Sequence, residues 1–189
     1  MVKIGVLISG GGTNLQAVID GCENRSIAGE VKVVISNKED AYGLERARKH
    51  NIKAIYEKEE DKIIQILKEN EVELVILAGY LKIVSPKLVN EYRNKIINIH
   101  PSLIPAFCGK GYYGQKVHQG VIDYGAKVTG ATVHFVDEGA DTGPIIMQKI
   151  VEVRQDDDAK KLAARVLEVE HEILTKSISM FCENKLTVN

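Results

Sequence analysis

The sequence predicts an α/β protein with an open, doubly wound, mostly parallel sheet, extended by antiparallel C-terminal strands and a long C-terminal helix. Two observations predict this fold. Short apolar runs rich in β-branched residues alternate with amphipathic helical patterns in the first half of the chain, as in sheets covered by helices on both faces. After this region the pattern changes to alternating strands, and then to one long helical stretch.

Four strands are predicted in the first half of the chain. Each is a nearly uninterrupted apolar run, which is typical of strands that are buried on both faces of a parallel sheet. These strands are predicted over residues 4–8, 31–35, 74–78 and 96–99.

Helices are predicted between these strands, where apolar residues recur at helical spacing. Ser85 and Pro86 have the pattern of an N-cap followed by a first-turn proline, and they predict a further helix over residues 88–92. The apolar residues that predict the first three helices are Leu15, Val18 and Ile19, then Leu44 and Ala47, then Ile63, Ile66 and Leu67.

The last third of the chain predicts two strands and one helix. Residues 128–136 alternate as a strand does, and a glycine-rich connection over 137–143 leads to a second strand over 145–153. We expect these strands to add antiparallel partners to the sheet. Three aspartates at 156–158 provide an N-cap and favourable first-turn charge for the long helix. Its apolar stripe contains Leu162, Val166, Val169 and Ile173.

Composition predicts one domain of a soluble, cytoplasmic protein. The chain has 189 residues, 44% hydrophobic content and a net charge of −1. This charge provides no general attraction to nucleic acid, and no apolar run reaches membrane-spanning length, so neither partner is expected. Cys22, Cys108 and Cys182 are odd in number and lack paired spacing, as in a protein with reduced thiols. The N-terminus has no signal-peptide pattern.

The run that starts at Asn98 and contains His100, together with the later Asp141, carries the chemistry. Asn98 and His100 are two positions apart on a predicted strand and therefore share a face. Transfer of an acyl group between two nitrogens needs three kinds of side chain. An amide donates to the oxyanion, an imidazole moves protons, and a carboxylate orients the imidazole. We expect Asp141 to favour the imidazolium form of His100 near neutral pH. A strand-terminating His-Pro turn is the structural alternative.

A glycine-rich turn, Gly10-Gly11-Gly12-Thr13-Asn14, lies between the first strand and the first helix. Backbone N–H groups at such a junction bind anions. Leu15 replaces the last glycine of the dinucleotide fingerprint and no G-K-[ST] follows, so a single phosphate monoester is predicted. A bulky residue at Gly12 is expected to block its approach. A tight turn without a ligand is the alternative.

Three further features have structural interpretations when only the residues are considered. Cys108 and a nearby histidine could form a nucleophilic pair, but nothing local is arranged to lower the thiol pKa, which favours a spectator. The histidines and aspartates show no metal-ligand spacing, so no metal is predicted. Glu170 lies beside the apolar stripe of the last helix, where a charged residue is normally solvated surface.

Together these motifs resemble those of the folate-dependent formyltransferases that act on glycinamide ribonucleotide. The resemblance covers essentially the whole chain. It implies a Rossmann-like formyltransferase fold in a single domain over residues 1–189, with a nucleotide-binding half at about 1–100 and a folate and catalytic half at about 80–189. The matching segments are Ile8 to Ala17, Ser36-Asn37-Lys38, Leu77-Ala78-Gly79-Tyr80, Asn98 to Pro105, Val133-His134-Phe135, Asp141-Thr142-Gly143-Pro144 and Glu170-His171.

The resemblance implies transfer of the formyl group of 10-formyltetrahydrofolate, a co-substrate, to the amine of glycinamide ribonucleotide. This reaction is the third step of de novo purine biosynthesis. No metal is implied, and we expect a monomer or a homodimer. The implied catalytic residues are His100, Asn98 and Asp141; the nucleotide-binding residues are Gly11, Gly12, Thr13, Asn14 and Glu170; the folate-binding residues are Leu81, Lys82, Ile83, Val84, Asn98, Asp137, Glu138, Gly139, Ala140 and Asp141.

Two related enzymes share this catalytic trio. A methionyl-tRNA formyltransferase would need a further C-terminal tRNA-binding domain and a basic surface, and a formyltetrahydrofolate deformylase a further N-terminal regulatory domain. Length and charge therefore favour the small nucleotide substrate. A binding module that kept the fold without turnover is an alternative of a different class.

Overall fold

A seven-stranded mixed sheet with helices on both faces organises the chain. The computed structural model describes residues 1–186, and the last three residues of the predicted domain, 187–189, lie outside it. In chain order the elements are β1 (Val2–Ile8), α1 (Thr13–Glu23), β2 (Gly29–Ser36), α2 (Tyr42–Lys49), β3 (Lys53–Tyr56), α3 (Glu60–Glu69), β4 (Leu74–Leu77), α4 (Pro86–Glu91), β5 (Ile96–His100), α5 (Gln115–Tyr124), β6 (Val128–Phe135), β7 (Ile145–Glu152) and α6 (Ala159–Cys182).

The strand order is β3-β2-β1-β4-β5-β6-β7. The first five strands pair in parallel, and β6 and β7 are antiparallel additions, so the predicted sheet is confirmed. The order reverses between β1 and β4. In such sheets a crevice forms at this point, outside the carboxyl ends of the strands.

The two faces of the sheet carry different helices. On β1, Ile4, Val6 and Ile8 pack with α1, α2, α5 and α6, whereas Leu7 faces α3 and α4 on the other side. This alternation is the period of two that a strand imposes. No helix among residues 1–186 combines the length and apolar character that a membrane span needs.

Two elements were not predicted, and one cap differs from its prediction. β3 is a four-residue edge strand, and α5 buries only Val117, His118 and Val121, so both have weak apolar patterns. Asp158 caps α6 as predicted, because its side chain accepts a hydrogen bond from the Lys161 N–H. Ser85 stands at the N-cap of α4, but its hydroxyl donates to Glu60 instead.

Candidate active site

A cavity of about 860 Å³ opens at the carboxyl ends of β1, β4 and β5. This is the crevice that the reversal of strand order predicts. The turn after β1, the loop after β4, the end of β5, the β6–β7 connection, the segment before α5 and one face of α6 all contribute to its wall.

Ser9 joins three of the loops around the cavity. Its N–H donates to the Gly79 carbonyl at 3.1 Å, and its hydroxyl donates to Asn37 Oδ1 at 2.7 Å. The Leu81 N–H in turn donates to the Ser9 hydroxyl at 2.9 Å. This buried serine, which the sequence did not single out, therefore fixes the loops after β1, β2 and β4 relative to one another.

The structure brings Asn98, His100 and Asp141 together. Asn98 and His100 project from the same face of β5. Asp141 lies in the β6–β7 connection, with Oδ2 3.6 Å from His100 Nδ1 and Oδ1 3.7 Å from His134 Nε2. His134 is opposite Asn98 in the β5–β6 register, and the two side chains are 3.0 Å apart. His134 is a fourth member of the site that was not among the predicted site residues.

Hydrogen bonds to backbone carbonyls fix the protons of both imidazoles. His100 Nε2 donates to the Phe107 carbonyl at 2.9 Å, which leaves Nδ1 facing Asp141. His134 Nδ1 donates to the Phe135 carbonyl at 2.8 Å, and its Nε2 lies 3.0 Å from Asn98 Nδ2. The second N–H of Asn98 Nδ2 is free to donate to a ligand.

Burial and the neighbouring carboxylate shift the pKa of His100 in opposite directions. His100 is 5% exposed, and desolvation of the charged ring lowers its pKa below 6.5 although Asp141 raises it. Asp141 favours the imidazolium as expected, but burial outweighs it, so the pKa of His100 lies below its ordinary value instead of above it. Burial raises the pKa of Asp141, but His134, His100 and the Gly109 N–H together lower it overall, so Asp141 is ionised.

The glycine-rich turn offers unpaired N–H groups to the cavity. Gly11, Thr13 and Asn14 line it, and among residues 1–186 the N–H groups of residues 11–14 have no acceptor. Gly12 does not line the cavity: its φ is +71°, and a Cβ there would lie 2.8 Å from Gly43 Cα. Gly12 is thus required for packing against α2.

Glu170 is part of this end of the cavity. Its carboxylate accepts a hydrogen bond from Asn14 Nδ2 at 2.8 Å, and the residue is 8% exposed. Burial raises the pKa of Glu170 to about 7. The interpretation of Glu170 as solvated surface is therefore wrong, because α1 packs over this part of α6.

The predicted folate residues separate into two groups. Residues 81–84 and 139–141 line the cavity. Asp137 and Glu138 do not: Asp137 accepts hydrogen bonds from the Gly139 N–H at 3.0 Å and the Thr142 hydroxyl at 2.6 Å, and Glu138 lies 3.9 Å from Arg93. These two residues hold or flank the connection and are not part of the cavity wall.

Cys108 and His118 lie near the same centre. The Cys108 thiol donates to the Pro105 carbonyl, and burial and Asp141 raise its pKa, which fits a spectator thiol. His118 lines the cavity, its Nδ1 has no partner, and burial lowers its pKa to about 4. In the part of the chain that the structure describes, no group of three or more His, Cys, Asp or Glu side chains is placed to hold a metal ion.

Comparisons with known proteins identify the family of this chain. A family model described as "Formyl transferase" matches residues 2–178, and the chain belongs to this family. A phosphoribosylglycinamide formyltransferase from Haemophilus influenzae is 41% identical over 98% of this chain and 90% of the relative. A chloroplastic protein of the same name from Vigna unguiculata is 42% identical, and the chain spans 62% of its length.

Solved structures share the fold over the full chain. Glycinamide ribonucleotide transformylase 1 from Symbiobacterium toebii is 42% identical with a TM-score of 0.94, covering 100% of this chain and 91% of that structure. A formyltetrahydrofolate deformylase from Pseudomonas syringae pv. tomato is 26% identical with a TM-score of 0.90, and this chain covers 63% of it.

Proposed function

We propose that this chain transfers the formyl group of 10-formyltetrahydrofolate to the amine of glycinamide ribonucleotide, the third step of de novo purine biosynthesis. The products are formylglycinamide ribonucleotide and tetrahydrofolate. The observation that carries the proposal is that one cavity joins a cluster of free N–H groups, an amide–imidazole–carboxylate centre and an apolar wall. The names of the full-length bacterial relatives support the same reaction.

The two halves of the domain supply the two ligand sites. In the nucleotide-binding half, the N–H groups of residues 11–14 bind the phosphate, and Glu170 reaches across from α6 to contact the nucleotide. In the folate and catalytic half, residues 81–84 and 139–141 form the walls of the folate pocket. Asp137 and Glu138 lie outside the cavity lining: Asp137 supports this wall through its hydrogen bonds to Gly139 and Thr142, and Glu138 flanks it.

The resting protonation states suit direct transfer. Neutral His100 accepts a proton from the glycinamide amine at Nδ1 while that nitrogen bonds to the formyl carbon, and the nearby Asp141 carboxylate stabilises the imidazolium. The free N–H of Asn98 donates to the oxyanion, a contact commonly worth about 3 kcal/mol. His100 then returns the proton to the folate nitrogen as the bond from that nitrogen to the formyl carbon breaks.

The proposal is tested by incubating the protein with 10-formyltetrahydrofolate, with and without glycinamide ribonucleotide, and following deformylated folate and formate. We expect folate turnover only when the nucleotide is present, with formylglycinamide ribonucleotide as product. Formate release at the same rate without the nucleotide would identify a deformylase. Ligand binding without turnover would identify a silent binding module. The cytoplasmic location and the monomeric or homodimeric state stay predictions.

A further inference from the structure

Helix α2 holds the glycine-rich turn from behind. The Gly43 N–H donates to the Gly10 carbonyl at 3.0 Å, and Arg46 Nε donates to the Gly11 carbonyl at 2.8 Å. The two chain segments touch without side chains, because a Cβ on Gly43 would lie 3.3 Å from Gly12 Cα. Two successive carbonyl groups of the turn are thus fixed to α2.

Fixing these carbonyls also fixes the direction of the next N–H groups. In a trans peptide the N–H points opposite to the C=O, and the cis peptide in the described chain is elsewhere, at Ile104–Pro105. The N–H groups of Gly11 and Gly12 therefore point away from α2. The cavity lies on this side of the turn, because its lining includes Gly11 and Thr13, the two neighbours of Gly12, and no residue of α2.

Arg46 is itself oriented by a chain of hydrogen bonds. Gln16 Nε2 donates to the Asp20 carboxylate at 2.8 Å, which fixes the orientation of the amide, and lies 3.0 Å from His50 Nε2, whose ring is held by Glu23 at 2.7 Å. Gln16 Oε1 is then the atom that accepts from Arg46 Nη1 at 3.3 Å. The guanidinium also lies over the Tyr42 ring, 5.1 Å from its centroid.

We propose that Arg46 is a positioning residue for the phosphate of the nucleotide. It holds the Gly11 carbonyl and thereby aims the Gly12 N–H at the phosphate, from the opposite side of the turn and without touching the ligand. Three consecutive glycines have wide conformational freedom, so this clamp reduces the ordering cost of binding. The inference rests on the proposed function for the identity of the nucleotide.

The test compares Arg46→Gln with Arg48→Gln. Arg48 lies on the same helix and pairs with Glu45, so its variant makes the same charge change without touching the turn. Arg46→Gln should raise the KM for glycinamide ribonucleotide about tenfold, the factor expected for loss of one charged hydrogen bond. Its kcat and folate KM should change less than twofold, and Arg48→Gln should match the wild type. Arg46→Lys, which keeps one charged donor, should give an intermediate KM.

A substrate that lacks the phosphate distinguishes a role of Arg46 in positioning the phosphate site from a general effect of the substitution on folding. With the dephosphorylated glycinamide ribonucleoside, Arg46→Gln and wild type should have the same KM. An equal rise in KM for both substrates, or an unchanged KM for the nucleotide, would overturn the proposal.

Amide NMR with ribose 5-phosphate provides a readout that is independent of turnover. The Gly11 and Gly12 amide signals of the wild type should shift on titration, and the Gly12 shift should be lost in Arg46→Gln. These shifts in a protein that transfers no formyl group would support the clamp and reject the proposed function. No shift of either amide in the wild type would overturn the clamp.

Discussion

Replacing Glu170 with glutamine should stabilise the protein at alkaline pH and change little at pH 5. Burial raises the pKa of this carboxyl from 4.5 to about 7. Between these values the folded state keeps a proton that the unfolded chain has released, so stability decreases as the pH rises through this window. Above it, the buried carboxylate costs about 3 kcal/mol relative to a neutral group, since each pKa unit is worth about 1.4 kcal/mol. Glutamine keeps an oxygen for Asn14 Nδ2 and removes this cost.

The measurement is urea unfolding of wild type and Glu170→Gln at pH 5 and pH 8. We expect a gain in unfolding free energy of about 3 kcal/mol at pH 8 and of about 1 kcal/mol or less at pH 5. Glu168→Gln, an exposed change on the same helix, serves as the control and should show no such difference. An equal effect of Glu170→Gln at both pH values would refute the reasoning, because an effect that does not depend on pH cannot come from ionisation.

Three further predictions concern the catalytic centre and the turn. Asp141→Asn should fold, because asparagine tolerates the φ of +58° at this position. It should lower kcat about a thousandfold, because the attraction between the carboxylate and the imidazolium, at 3.6 Å and an effective dielectric constant of about 20, is roughly 4 kcal/mol. An unchanged kcat would refute the pairing with His100. Cys108→Ser should keep wild-type activity. Detection by mass spectrometry of a formyl group on Cys108 of the wild type would overturn direct transfer. Gly11→Ala should fold, because a Cβ at this position has no neighbour within 4 Å. It should raise the KM for the nucleotide about tenfold, because the new methyl group crowds the phosphate. A normal KM would place the phosphate elsewhere.

Sequence-based prediction was most successful for features that depend on a single strand or helix. The buried parallel strands were predicted because their apolar runs need no knowledge of neighbours. Asn98 and His100 were placed on one face by strand periodicity alone, and β5 confirms this placement. The short edge strand β3 was missed because only half-buried residues, not a buried run, form its inner side.

The contacts that depend on topology could not be predicted from local pattern. His134 reaches Asn98 because β6 lies antiparallel beside β5 in one particular register. Glu170 is buried because α1 and α6 pack against each other. The effect of Asp141 on the pKa of His100 was predicted with the correct sign, but the larger and opposite effect of burial was not predicted. The sequence motif identifies the carboxylate that raises the pKa of His100. The desolvation that lowers this pKa, and outweighs the carboxylate, depends on burial in the folded chain.

The glycines of the turn have different structural roles, so substitutions at different positions test different contacts. Sequence reasoning assigned Gly12 to the close approach of phosphate. In the structure Gly12 has a positive φ and contacts Gly43, so Gly12→Val should impair packing of α2 before it impairs binding. Because α2 also holds the Gly10 and Gly11 carbonyls, displacing it would turn the N–H groups of the site as well. A binding defect in Gly12→Val would therefore not locate the phosphate, whereas a folded Gly11→Ala with a raised nucleotide KM would.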